Sequence, residues 1–230
     1  MSCFHAALAW ISLILLSSPA AAGGAENTDQ KAVHNCANSI VSVLAESPMD
    51  HGEICAGAED ALAFFGRLRL KPIDSVVVEI LPFLPEEVGE TAVGCYLEDD
   101  ARVLVLEFAE FAKHETWFKI PIDWSMYRSL VTHEVAHAVA ACNMAGSESP
   151  IQAKEYLAYV AMFVMMDQRL RGRIMDANPC KAFDQESKIN ATIYLCDPMR
   201  FAVSAYRHYL EAKNGDAFLL KILSGEALAQ

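Results

Sequence analysis

A single α+β domain, with helices towards both ends of the chain and a small sheet between them, is the fold class this sequence predicts. Three observations carry it. A β-branched run, Val76, Val77, Val78 and Ile80, lies between Pro72 and Pro82 and reads as a strand over 75–81. Two apolar stretches, 92–98 and 102–108, flank Asp99-Asp100 as a hairpin. From residue 123 onwards apolar residues recur at helical spacing. The 230 residues suffice for one domain with a sizeable core, and 53% hydrophobic against 21% charged residues excludes intrinsic disorder for the bulk.

The elements follow in chain order. Residues 1–22 hold no Asp, Glu, Lys or Arg; an apolar run from Ala6 to Leu16 precedes Ser17, Ser18, Pro19 and the small residues Ala20, Ala21 and Ala22. That is the pattern of a cleaved secretory signal, although its start lacks the usual Lys or Arg, and the run is too short to span a bilayer. A mature domain of residues 23–230, secreted or periplasmic and without a membrane anchor, is the expectation. Residues 31–47 read as a helix with Ala32, Cys36, Ile40, Val43 and Leu44 on one face, and Ile54 to Arg67 as a second helix. After the strand and hairpin, Trp117 to Ile122 is extended, with Pro121 keeping it off a sheet centre. Asp123 or Ser125 can cap a helix reaching about Cys142. Ser149, Pro150 and Gln152 combine an N-cap, a first-turn proline and a capping-box amide for the next helix, which fades at Gly172. Its apolar run, 157–166, fits a buried core helix. Asp197-Pro198 opens a last long helix that ends near Asn214-Gly215.

Eighteen Lys and Arg against thirty Asp and Glu give a net charge of −12. Such a surface repels phosphate backbones, and the densest basic cluster, Arg169, Arg171 and Arg173, reads as a solvated helix end; no nucleic-acid role is expected. Six cysteines follow the signal, none in a Cys-x-x-Cys pair. Export then favours disulfides, and closing the shortest loops predicts Cys36–Cys55, Cys95–Cys142 and Cys180–Cys196.

The chemistry concentrates at His133-Glu134-Val135-Ala136-His137. On a helix, positions i and i+4 share a face, so both imidazoles reach one cation, while Glu134, about 100° round, reaches a water on it. Zinc suits nitrogen and oxygen donors in a tetrahedron with one position open to water. A third His six residues after His137 is absent, that position being Asn143. Glu155, one turn into the next helix, would be returned beside the histidines by a helix–loop–helix; Glu148 and Glu186 are weaker substitutes.

With that pairing of His-Glu-x-x-His and a downstream helical Glu, residues 92–170 resemble the gluzincin branch of zincin metallopeptidases. The resemblance implies a zincin-like fold, a small sheet packed on an active-site helix pair. It implies Zn2+ held by His133, His137 and Glu155, Glu134 as general base, and a peptide or protein substrate aligned along an edge strand, here Arg102 to Phe108. A donor to the developing oxyanion is expected from a Tyr or His: Tyr159, on the face of Glu155, or Tyr206 or His208 later in the chain. Two other readings stay open, a zincin-fold protein that keeps metal without hydrolysis and a disulfide-stapled helical binding protein without metal.

Overall fold

The computed structural model describes residues 32–37, 40–45, 51–89, 91–145, 149–211 and 215–229. The expected signal peptide, Glu148 and the end of the last long helix near Asn214 lie outside them. The chain is α+β, with a mixed five-stranded sheet of order β1-β2-β3-β5-β4. Its strands are β1 (Ala32–Asn35), β2 (Val41–Ala45), β3 (Val76–Leu81), β4 (Gly94–Leu97) and β5 (Arg102–Leu106). The three central strands β2, β3 and β5 run parallel; β1 and β4 are antiparallel edges.

The helix expected over 31–47 is instead the pair β1 and β2. Val41, Val43 and Ala45 are buried and alternate with the half-buried Ser42 and Leu44, a period of two that the helical reading had masked. Pairing with β3 decides it, because β2 must run parallel to β3 and α1 (His51–Gly66) is the crossover that lets it. The Cys36–Cys55 disulfide fastens the turn after β1 to α1, with Cα atoms 5.5 Å apart.

The other two expected bridges are not formed: Cys95, Cys142, Cys180 and Cys196 stand as thiols. Strand alternation explains the first pair. Gly94 and Tyr96 face the helix that ends at Cys142, so Cys95 between them faces away. Cys180 instead lies against the carbonyls of Asn178 and Arg200, and Cys196 is exposed.

The long helices α3 (Trp124–Ala141) and α4 (Ile151–Met165) fill the core with α1. Asp123 caps α3 by accepting from the Met126 N–H. At Gly57 of α1 an added Cβ would sit 2.5 Å from the Arg128 carbonyl oxygen, so only glycine admits this helix approach. Arg128 then clamps Asp60 with two bonds of 2.7 and 2.9 Å, and the Tyr127 hydroxyl donates to the Leu106 carbonyl of β5 at 2.7 Å. These ties fix α3 against both its helical and its sheet neighbours.

Ser149 makes no cap hydrogen bond for α4; Pro150 takes the N-cap position. The helix also stops short of Gly172. Asp167 accepts from Arg169 and Leu170 N–H groups and starts α5 (Gln168–Ala177), while Arg171 donates back to the carbonyls of Phe163, Val164 and Met166. Arg171 is thus a helix-end cap, not solvated charge. The extended stretch after Thr116 is a small hairpin, β6 (Thr116–Trp117) and β7 (Ile120–Pro121), turning at Phe118 and Lys119 with φ of 51° and 61°. After the short helix α2 (Phe108–Ala112) on the β5 side, the C-terminal part adds α6 (Ala191–Cys196), α7 (Pro198–Glu211) and α8 (Gly215–Leu223). Among the described residues, no helix is long and apolar enough to cross a membrane.

Candidate metal centre

His133 and His137 project from the middle of α3, one turn apart, with Nε2 atoms 3.1 Å from each other. Glu155, from the first turns of α4, brings Oε2 to 3.5 Å from His133 Nε2 and Oε1 to 3.5 Å from His137 Nε2. Four ligands at about 2.0–2.1 Å in a tetrahedron have edges of about 3.3–3.4 Å. The 3.1 Å between the imidazole nitrogens is close to such an edge; the two 3.5 Å contacts are made by different oxygens of Glu155, and donor atoms of the three residues lie within 4.8 Å of one another. Glu155 Oε2 is buried with no hydrogen-bond partner, which a carboxylate in a core tolerates only if something else meets it. His133 Nδ1 is buried and unpartnered too, so its ring is held by packing. The ring of Tyr159, centroid 4.3 Å away, supplies that packing. This buried His-His-Glu group can hold a metal ion.

Glu134 points elsewhere, into the space between α3 and the edge strand β4. An added Cβ on Gly94 would lie 2.6 Å from Glu134 Cγ, Cδ and Oε1, so the side chain rests directly on the glycine backbone. Burial pushes its carboxyl up to about 7, the His133 charge opposing this and the Glu155 charge adding to it. Burial likewise lowers His137 to about 4. At His133 burial also works downwards, but the neighbouring carboxylates of Glu155 and Glu134 outweigh it and raise the group. For Glu155 burial is again the largest single influence and acts upwards; both histidines and the Tyr194 hydroxyl together overcome it and hold the carboxylate low. Charges of both signs packed this closely settle into perturbed protonation states, a hallmark of reactive sites.

The cleft over this centre encloses about 1060 Å³. The edge strand β4 lines one side of it, not the expected Arg102 to Phe108 stretch, whose strand β5 lies inside β4 in the sheet. Leu106 N–H donates to the Val93 carbonyl, which makes 93 and 106 a hydrogen-bonded pair in an antiparallel ladder. By alternation, Cys95 and Leu97 also pair inwards, and the backbone groups of Gly94 and Tyr96 face the open edge.

Of the expected donors, Tyr159 reaches the cleft, and burial raises its phenol well above the ordinary value. Tyr206 and His208 do not line it. Tyr206 stacks on Phe163 at 5.2 Å under the Arg171 guanidinium, and His208 Nδ1 is bonded to the Tyr156 hydroxyl at 2.7 Å beside Phe218. Both belong to the packing of α7 on α4 and α8. Sequence reasoning missed Tyr194 of α6. Its side chain lines the cleft with Leu195 and Met199 near Glu155, and burial plus the charges of Glu155 and Glu134 keep its phenol protonated. The weak signal for it was Asn190, which caps α6 by accepting from Ile193 N–H at 3.1 Å and so marks a helix too short to show periodicity.

No curated protein and no solved structure matches the chain. A family model described as a family of unknown function, DUF6639, matches residues 41–230, and the protein belongs to that family.

Proposed function

We propose that the protein is an exported zinc-dependent peptidase of gluzincin type, with a zincin-like arrangement of edge strand, metal-binding helix and Glu-bearing helix. The observation that carries this reading is the pair of facts at α3: two imidazoles and Glu155 bring donor atoms within 4.8 Å of one another in a buried group, while Glu134, in the same turn, stays off the triad with a carboxyl group raised to about 7. A metal kept only for stability has no use for such a base.

Zinc held by His133, His137 and Glu155 would supply Lewis acidity that brings a water's pKa to about 7. Glu134 would accept the proton of that water and pass it to the leaving amine, so one carboxyl group serves as base and then acid. The Tyr194 hydroxyl, beside Glu155 and Glu134, would donate to the carbonyl oxygen as it gains charge. Backbone groups of Gly94 and Tyr96 would hold the substrate as an added strand, excluding water and fixing register.

Metal analysis of untagged protein, combined with a peptide-library screen, tests the reading. One zinc per chain and cleavage abolished by a chelator are expected, and Glu134→Gln should retain zinc and lose cleavage. Bound zinc without any chelator-sensitive cleavage would favour a metal-holding binding protein instead.

A further inference from the structure

The cleft does not end at the metal centre. From Glu98 at one end of β4 it passes Glu134 and reaches Ala92 and His114 at the other. A second groove of about 430 Å³ adjoins it, sharing Ala92 and His114, over the segment between β3 and β4. The floor of this groove is apolar, formed by Pro82, Phe83, Leu84, Pro85 and Leu106. Phe83 is 76% exposed, the most exposed large apolar side chain among the described residues. Leaving that much aromatic surface in water is unfavourable unless something covers it.

We propose that this groove is a subsite for an apolar side chain of an extended polypeptide substrate, several residues away from the bond that is cut. The inference rests on the peptidase reading for the nature of the occupant and deepens it: the substrate is an internal stretch of a chain, gripped well beyond the scissile bond. Continuity with the cleft argues for one occupant running through both. β4, Gly94–Leu97, offers about 13 Å of extended chain at about 3.3 Å per residue between Glu98 and the groove side. Glu134 meets β4 at Gly94, its first residue, so the strand edge runs to one side of the reacting position and residues 91–93 lead towards the groove on the other. Beyond Ala92 the mode of recognition changes. Pro82 and Pro85 carry no N–H, so those two positions cannot donate to an added strand, and between them Phe83 stands out in solvent while Leu84 packs back against the core. Contact there is side chain on side chain. The rim charge Lys113 is paired with Glu110, and Glu86 adds a further carboxylate to the lining, which disfavours an acidic residue there.

Zinc-loaded Glu134→Gln protein, which binds without cutting, is titrated calorimetrically with N-acetylated, C-amidated alanine-based peptides of four to ten residues. Each carries one Phe, moved outward position by position. Affinity should rise about tenfold or more once the Phe reaches the groove, as burial of one large apolar side chain supports. The added substitution Phe83→Ser should remove that step and leave the shortest peptides unchanged. An affinity independent of length and Phe position, or a step that survives Phe83→Ser, overturns the subsite. So does sedimentation showing that Phe83→Ser merely abolishes self-association. Parallel assays of wild type separate the two readings. A length-dependent step in binding without any cleavage would remove the peptidase activity and keep the subsite. Chelator-sensitive cleavage with no such step would do the reverse.

Discussion

Gly94→Ala is the substitution whose effect the structure fixes most closely. The new Cβ would lie 2.6 Å from three atoms of Glu134, whereas ordinary contacts run from 3.4 to 4 Å. The gap has to open by about 0.8 Å, and β4 can yield little while it is paired to β5. Glu134 is 6% exposed on a helix buried on most sides, so its carboxylate must swing within a tight space. Misplacing a catalytic group by about 1 Å costs on the order of 10²-fold in rate. Overpacking adds a stability loss of about 1–3 kcal/mol. The three metal ligands do not touch Gly94 at that distance, so zinc content should stay at the wild-type level. Turnover of a library-derived peptide, zinc content and thermal melting on the same preparation check this. Turnover within threefold of wild type, or a loss that tracks loss of zinc, would refute the idea that the glycine seats the base.

Four further outcomes are expected. Tyr194→Phe should keep zinc and cut kcat by about 10²-fold, the usual cost of losing an oxyanion donor, while Tyr206→Phe should change kcat little; equal effects would remove Tyr194 from the chemistry. His133→Ala should abolish tight zinc binding, and Glu155→Gln should weaken it severely, both read by competition with a chromogenic chelator. In the metal-free protein, Glu134 titrates at about 7 against an ordinary 4.5. The fold therefore bears no cost below pH 4.5 and an increasing one through pH 7, reaching about 3 kcal/mol. Glu134→Gln should stabilise the metal-free protein by up to that amount at pH 8 and negligibly at pH 4; urea melts giving the same gain at both would contradict it. Finally, replacing Cys36 and Cys55 by Ala should cost about 3 kcal/mol, since their bridge closes a loop of 19 residues, and reduction should reproduce the loss.

The site was more legible in the sequence than the sheet around it. His133, Glu134 and His137 declare themselves because their spacing is local, set by one helix turn. Glu155 could be found because a short loop and a helix start return α4 beside α3. Relations between distant parts of the chain left no such trace. Tyr194 lies 39 residues beyond Glu155 on a six-residue helix, and only tertiary packing points it at the carboxylate. Val43 fits both the helical stripe with Ile40 and Leu44 and the strand alternation with Val41 and Ala45 over so short a run, and parallel pairing to β3 chose between them. Pairing neighbouring cysteines works at Cys36–Cys55, where a sheet edge and a helix meet. It fails at Cys95, whose direction depends on the parity of its strand position.

The two edges of the sheet have different fates in an assembly of many copies. An open strand edge invites other chains to stack on it, and proteins must defend against that. β4 keeps its open edge inside a cleft under the short helix α6, where a single narrow chain can enter but another sheet cannot. Among the described residues β1 has no such roof: all four of its residues are exposed, Val33 at 64%. It is held by its ladder to β2, by the Ser42 hydroxyl donating to Asn35, by His34 stacked on His51, and by the covalent tie from Cys36 to α1. In a reducing compartment β1 could detach, uncovering β2 with its fully buried valines Val41 and Val43 as the new edge. Colloidal stability of this protein is thereby linked to the redox state of its surroundings, and premature folding before oxidation would favour clumping through that side of the molecule.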